Sequence, residues 1–297
     1  MDKNTSSQPN PTEYKRRSQG QEIWRNYRRN FSGMLGLFLI LLVIGIGIWG
    51  NIHYDYDAEI VNMNIVEAKQ KPSKAHPFGT DEMGRDILKR VIYATRYSIS
   101  IAFVSVIISS VIGITLGSLA GFYGGATDAV IMRFTDIIGS IPSILFGITV
   151  VAAFGQNIFI LMIALAIGGT SAIVRVARAS VMQVRNQEYI EAARATGVKD
   201  LKIILEHVLP NALSPIMVQS TLRTGSAIIG IASLSFLGLG VSPPAPEWGA
   251  MLSSGRAFIR GFSYMTVFPG LAIMITVLGF NLIGDGLRDA MDPKLKK

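Results

Sequence analysis

The chain has 297 residues, 49% of them hydrophobic and only 16% charged, with a mean hydropathy of +0.40. Soluble domains carry about 25% charge, so this composition points to a polytopic membrane protein rather than a soluble enzyme. A net charge of +8 in such a chain fits cationic loops beside anionic lipid better than nucleic acid, and the absence of cysteine excludes disulfides, thiolate metal sites and thiol nucleophiles.

Residues 1–33 form a polar N-terminal tail. Its first dozen residues, rich in Ser, Asn, Pro and Gln, read as disordered. Residues 34–52 are the first apolar run. No small-residue cleavage pattern follows it, so it reads as a retained anchor rather than a secretory signal. A bilayer core about 30 Å thick needs about 20 apolar residues per helix. Five further stretches approach that length: 98–121, 134–154, 158–177, 215–238 and 265–282. The third span, 134–154, contains Pro142, read as a proline tolerated within one span. These runs predict an all-α polytopic membrane protein with six transmembrane helices. Residues 98–287 form its five-helix core, 53–97 an outer segment and 288–297 a C-terminal tail.

Lys and Arg set the orientation. The N-terminal tail (Lys3, Lys15, Arg16, Arg17, Arg25, Arg28, Arg29), the loop after Arg175 and the C-terminal tail (Arg288, Lys294, Lys296, Lys297) outweigh the alternate segments in basic residues. Both termini are therefore expected in the cytoplasm. The segment 53–97 is itself basic, which narrows the margin.

The loop 186–212 carries the strongest signal. Asn186-Gln187-Glu188-Tyr189-Ile190-Glu191-Ala192-Ala193-Arg194-Ala195-Thr196-Gly197 reads as a short helix with Asn186 as N-cap and Gly197 as its left-handed terminator. Beyond it, Val198, Leu201, Ile204, Leu205 and Val208 fall on one helical stripe, and Pro210 is expected to stop that helix before the fifth span. Such a helix–Gly–helix element on the cytoplasmic surface suits force transmission to a partner, with Glu191 and Arg194 able to form charge-assisted bonds. It equally suits an interfacial element that only covers the bundle.

The spacing of Glu191-Ala192-Ala193, Gly197 and Leu209-Pro210 resembles the EAA loop of importer-type ABC permeases. In that family the loop is the coupling helix that docks into the ATPase subunit. The resemblance assigns this role to Glu191, Ala192, Ala193, Arg194, Ala195 and Gly197, with Leu209 and Pro210 completing the pattern. His207 stands where an aliphatic residue is usual, a departure familiar in the peptide-import branch.

Two further stretches point to the same branch. His76-Pro77-Phe78-Gly79-Thr80-Asp81-Glu82-Met83-Gly84-Arg85-Asp86 reads as turns with capping side chains opening a helix. It is similar to the G-T-D-x-x-G-R-D signature of the second permease subunit in dipeptide, oligopeptide and nickel importers, on Gly79, Thr80, Asp81, Gly84, Arg85 and Asp86. The run from Gly238 to Leu252 is similar to another signature of that subunit. Its prolines forbid regular structure, and Trp248, Gly249 and Met251 follow them, the Trp and Met suiting the outer membrane interface. In the family these outer elements lie where the solute-binding protein delivers cargo. With the C-terminal Gly284 to Pro293, the resemblance spans roughly residues 34–293.

The resemblance implies a type I ABC importer permease in the cytoplasmic membrane. Its expected partners are a homologous second permease, two ABC ATPase subunits that bind ATP and Mg, an extracytoplasmic solute-binding protein and membrane lipid. The expected cargo is a di- or oligopeptide, with nickel as the alternative. No Gly-Lys dipeptide occurs, so this chain has no Walker A loop. No G-x-S-x-G or H-E-x-x-H string occurs either, so neither a catalytic residue nor a cofactor is expected, and His53, His76 and His207 have no metal-ligand spacing. Gly113, Gly117 and Gly121 predict close helix packing. Gly45 to Gly50 matches G-x-G-x-x-G by chance inside a span. Asp128, Arg133 and Asp136 are read as pairing near the inner end of the third span, and Arg223 is the other charge at membrane depth. An ion-coupled secondary transporter, the rival reading, would rest on Asp136 and lacks an evident repeat.

Overall fold

A computed structural model describes residues 19–292. The first dozen residues and Lys3, Lys15, Arg16, Arg17, Pro293, Lys294, Lys296 and Lys297 lie outside the described residues. The described chain is all-helical. Five helices are long and apolar enough to cross a membrane, and a bent pair makes up to six.

The short α1 (Gln19–Tyr27) precedes α2 (Phe31–His53). Asn30 caps α2 by accepting from the Gly33 amide at 2.8 Å, and its own amide donates to Asp289 at 2.8 Å. That bond joins the start of α2 to the end of α11 (Tyr264–Met291). The two helices also meet through small residues. A Cβ at Gly36 would lie 2.7 Å from the Gly279 carbonyl, and one at Gly33 would lie 3.1 Å from Gly286 Cα. The glycine string of α2 is a packing face: Gly47 abuts Thr95 and Gly50 abuts Ile92.

The second span differs from expectation. Helix α3 runs without a break over Ile87–Tyr123, 37 residues. At 1.5 Å per residue it is about 55 Å long, well beyond a 30 Å bilayer core. Hydropathy alone missed its first eleven residues because they carry Lys89, Arg90 and Arg96; of these, Arg90 is buried and Lys89 pairs with Glu59, while Arg96 is exposed. Along α3, the expected glycine packing is realised against α6 (Ile158–Arg185). A Cβ would meet Ile173 at Gly113, Ala177 and the Val174 carbonyl at Gly117, and the Arg178 carbonyl at Gly121, all within 2.6–2.7 Å. Three successive i, i+4 glycines thus bring the two backbones together, which is how helices associate where lipid removes the hydrophobic drive.

The third span is not one helix. It consists of α4 (Gly125–Ser140) and α5 (Ser143–Phe154), bent by 85°. Pro142 sits at the N-cap of α5. It has no N–H to bond the preceding turn and disfavours helical dihedrals at Ile141, so the chain turns there instead of carrying the proline through.

The last part of the loop also departs from expectation. Helix α8 (Asp200–Ile203) continues through a π-turn (Ile204–Val208) into α9 (Leu209–Phe236). Pro210 does not stop the helix. It lies at the first turn of α9, just after the wide turn in which the Leu209 amide bonds the Ile204 carbonyl. An i→i+5 turn makes room where a tight one would clash with the proline ring. The chain then closes with α10 (Trp248–Gly255) and α11. Ile101 and Val106 of α3, Leu161 and Leu165 of α6, and Ile228, Ile231 and Leu234 of α9 form the central core.

The glycine contacts give a test with an internal control. Gly117→Leu should cost about 1–3 kcal/mol through overpacking. Gly45→Ala, with nothing within 4 Å of the new Cβ, should be neutral or gain up to about 1 kcal/mol from helix propensity. Thermal unfolding of the two detergent-purified variants checks both, and equal melting temperatures would refute the close-packing account.

Candidate functional site

Two clusters of sequence-marked residues form at opposite ends of α3. The first is built on α7 (Glu188–Ala195). Asn186 does not cap it. Asn186 ends α6, and Gln187 takes the N-cap position with no side-chain bond. Gly197 does terminate α7, at φ +80°. The Gly197 amide donates to the Arg194 carbonyl at 2.9 Å and the Val198 amide to the Ala193 carbonyl at 3.2 Å. This pair of bonds is a Schellman motif, completed by the apolar Val198 and Ala193 beside one cluster.

Helix α7 has a small footing. Ile190 is fully buried, while Glu188, Tyr189, Glu191, Ala192, Arg194, Ala195 and Gly197 are exposed. Ile190 packs with Phe122, Val181, Ile203, Ile204 and Val208, the point where α3, α6 and the start of α9 converge. The predicted stripe is thereby split. Ile204 and Val208 face this cluster and Ile203 joins them, but Leu201 and Leu205 are 64% and 55% exposed. The π-turn shifts the helical phase, so a strict 3.6-residue period misassigns this face.

Charge holds the base of α7. Arg185 donates to the carbonyls of Gly121 and Phe122 at 2.8 and 3.1 Å, satisfying the C-terminal end of α3 with a cation. Arg194 lies over the Phe122 ring at 4.8 Å. Arg178 makes a two-pronged pair with Asp128, both contacts 2.5 Å, and Arg175 reaches Asp136 at 2.9 Å. The expected pairing within α4 through Arg133 is therefore replaced by pairs from α4 to α6, because α4 crosses beside α6 and brings both carboxylates to its arginines. Leu209 and Pro210 sit at the entry to α9, with Leu209 against the same apolar cluster.

The second cluster lies at the opposite end of α3. Gly79 and Gly84 take φ of +77° and +78°, and a Cβ at Gly84 would collide with the Asn64 carbonyl, so only glycine fits. Thr80 is fully buried. Its hydroxyl donates to the Glu67 carbonyl at 2.5 Å and accepts from the Gln70 amide at 2.8 Å. Asp81 accepts from the Met83 and Arg85 amides at 2.9 Å and from Arg85 Nε at 2.7 Å. Asp86 caps α3 by accepting from the Lys89 amide at 3.0 Å, and its other oxygen meets His76 Nδ1 at 2.8 Å. The motif is a clasp that opens α3 and closes the preceding segment onto it. Nearby, Glu59 is paired with Lys89, and the hydrogen bond from that ammonium lowers the Glu59 pKa.

Trp248 is a correction. It is 1% exposed and packs with Ile87, Val91, Ala94, Met251 and Met265; its indole N–H donates to the Val91 carbonyl at 2.9 Å. A Trp with a satisfied N–H is fully at home in a protein core, and neither it nor the buried Met251 forms an interfacial belt. Gly249 lets α10 approach α9, since a Cβ there would lie 2.5 Å from Ala232 Cα. Sequence reasoning missed Glu247, Ser98 and Arg90. Glu247 is 1% exposed, caps α10 on the Ala250 amide at 2.9 Å and accepts from Ser98 Oγ at 3.0 Å. Its position just before Trp248 was the available signal, but Glu is not among the favoured capping residues. Arg90 donates to the Ile60 carbonyl at 2.6 Å. The two motifs, some 160 positions apart, share a cleft of about 130 Å³ lined by Asp81, Glu82, Arg85, Pro243, Pro244 and Met251.

Residues 113–297 match the family model described as binding-protein-dependent transport system inner membrane component. The chain belongs to this family. Residues 18–72 match the N-terminal TM domain of oligopeptide transport permease C. The chain is 42% identical over 280 residues to the glutathione transport system permease protein GsiD of Pectobacterium atrosepticum, covering 94% of this chain and 93% of the relative. It is also 42% identical over 291 residues to the dipeptide transport system permease protein DppC of Alkalihalophilus pseudofirmus, covering 98% and 95%. The fold resembles a chain of the MetNI methionine ABC transporter in an inward-facing conformation, with TM-score 0.58, 19% identity and coverage of 69% of this chain and 98% of that one. The chain is thus a membrane-embedded permease, a translocation subunit rather than an enzyme.

The clasp and the buried Trp248 yield a graded test. Trp248→Phe should cost about 1 kcal/mol for the lost hydrogen bond, Trp248→Ala about 3–5 kcal/mol for the emptied core, and Asp81→Ala about 3–5 kcal/mol for leaving Arg85 buried without its carboxylate. Denaturation of the purified permease measures all three, and a Trp248→Ala variant as stable as the parent would refute the buried assignment.

Proposed function

We propose that this chain is one of two homologous permease subunits of an ABC importer that carries di- or oligopeptides across the cytoplasmic membrane. The peptide assignment rests on two relatives, whose names specify glutathione and dipeptide transport. In this reading the chain spans the membrane six times, the bent α4–α5 pair forming one crossing, with both termini and α7 on the cytoplasmic side. The clasp and the α10 segment face outward, toward an extracytoplasmic solute-binding protein. ATP and Mg are held by two partner ATPase subunits.

One observation carries the coupling role. Helix α7 buries only Ile190 in its own chain and presents Tyr189, Glu191, Ala192 and Ala195 to the outside. A helix so little buried is expensive to maintain unless a partner covers it. Its small residues allow deep seating in a groove, and its Ile190 footing reaches α3, α6 and α9 together. A push on α7 is then delivered to three helices at once. ATPase closure would draw two such helices together and rock the spans between inward- and outward-facing states, a hinge or shear change.

Gly197→Pro tests the assignment. Proline cannot adopt positive φ and lacks the N–H that bonds Arg194, so the Schellman end is lost. Ala192→Trp leaves the fold's contacts alone and obstructs the exposed face. Both should reduce peptide import and ATPase co-purification at least about tenfold, the equivalent of about 1.4 kcal/mol of docking energy, at unchanged membrane levels of the chain. Normal import by both variants would overturn the coupling role.

A further inference from the structure

Asp128 and Asp136 find arginines on α6, but Arg223 has no such partner. It lies midway along α9, about 20 Å from Leu209 and from Phe236 at 1.5 Å per residue. Among the described residues, no hydrogen-bond or ion-pair partner meets its guanidinium. The group rests instead on bare backbone: a Cβ at Gly169 of α6 would stand 2.8 Å from Cζ and 2.6 Å from Nη2. Any larger residue there would displace it. An arginine at this depth is costly unless it faces water or meets an opposite charge, and none of the described residues supplies such a charge.

The surroundings are polar for a membrane helix. Asp200–Phe236 is the least apolar of the five candidate spans. Ser110 and Ser220 hydroxyls lie 3.0 Å apart one turn from Arg223, and Ser226 is exposed. On α6, Gly168 next to Gly169 faces Ser143 at the α4–α5 bend. Further along, the Arg175–Asp136 pair is 51% and 58% exposed, a surface that lipid does not favour.

We propose that Arg223 is a carboxylate-binding station on the water-filled path through the membrane, and that it receives the carboxylate of the peptide in transit. The inference rests on the peptide-importer reading above. Every free peptide carries an α-carboxylate, and a guanidinium recognises that group through two parallel hydrogen bonds. A cation that no described residue of its own chain neutralises is vacant between transport events, as a transient station must be. A carboxylate fixed on the neighbouring permease subunit is the competing source of the same charge, and the test separates them.

The assembled complex in proteoliposomes is assayed for import of radiolabelled dialanine and glutathione. Arg223→Gln is expected to import at least about tenfold less per intact complex, the loss of charge-assisted hydrogen bonding, while Arg223→Lys, which keeps the charge but not the two-pronged geometry, imports more than Arg223→Gln and less than wild type. Arg223→Cys, in a chain with no other cysteine, is expected to react with a water-soluble methanethiosulfonate and to be protected by dialanine. Import by Arg223→Gln equal to wild type would overturn the proposal, as would a cysteine that does not react. Dissociation of the subunits in Arg223→Gln, with normal import per remaining complex, would assign the guanidinium to the neighbouring subunit and also overturn it. A wild-type complex that imports neither peptide would instead refute the peptide-importer reading itself, and with it the source of the carboxylate.

Discussion

The close approach of α3 and α6 organises the molecule. Gly113, Gly117 and Gly121 remove three side chains from one face of α3 and let it meet the Ile173–Val181 side of α6 backbone to backbone. In lipid, where apolar side chains gain little by leaving one apolar medium for another, such contact area is a main source of association. Because α3 runs 37 residues without a break, this seam also forms a rigid rod between the two marked regions. The clasp and Trp248 grip one end of the rod. The Phe122–Ile190 cluster grips the other.

That rod gives the coupling proposal a mechanical basis. Force applied at α7 enters through Ile190, Phe122 and the arginine contacts at the end of α3, and it meets a seam that does not easily slide. Motion is more readily taken up at the weak points of the bundle: the 85° bend between α4 and α5 and the π-turn before α9. Both lie beside α6 and α9, the helices that hold Gly169 and Arg223. In the proposed importer, a displacement at α7 would be passed to these two helices.

The clasp shows how polar chemistry can be spent wholly on structure. The side chains of Thr80, Asp81 and Asp86 direct their hydrogen bonds to neighbouring backbone, Arg85 or His76. These bonds seat a charged segment on the end of a membrane helix. Glu247 serves α10 in the same way. Their value to the permease lies in the shape they hold rather than in any group left over for cargo.

Read alone, the sequence determined the fold class, the approximate location of the apolar helices, the glycine seam and the positive-φ end of α7. These are local properties, set by hydropathy over a bilayer's thickness, by i, i+4 spacing and by glycine's freedom in the left-handed region. It also placed the permease signatures in linear order. Only the tertiary structure decided the rest. It extended α3 eleven residues through charged sequence, where Arg90 is buried and Lys89 pairs with Glu59. It broke the span at Pro142 yet ran the helix through Pro210, because a proline's effect depends on whether the preceding turn can widen. It buried Trp248 under α3, paired Asp128 and Asp136 with α6 rather than with Arg133, and left Arg223 without a partner among the described residues. Each of these outcomes is settled by residues from a different helix, and no spacing along a single chain records which helices will be neighbours.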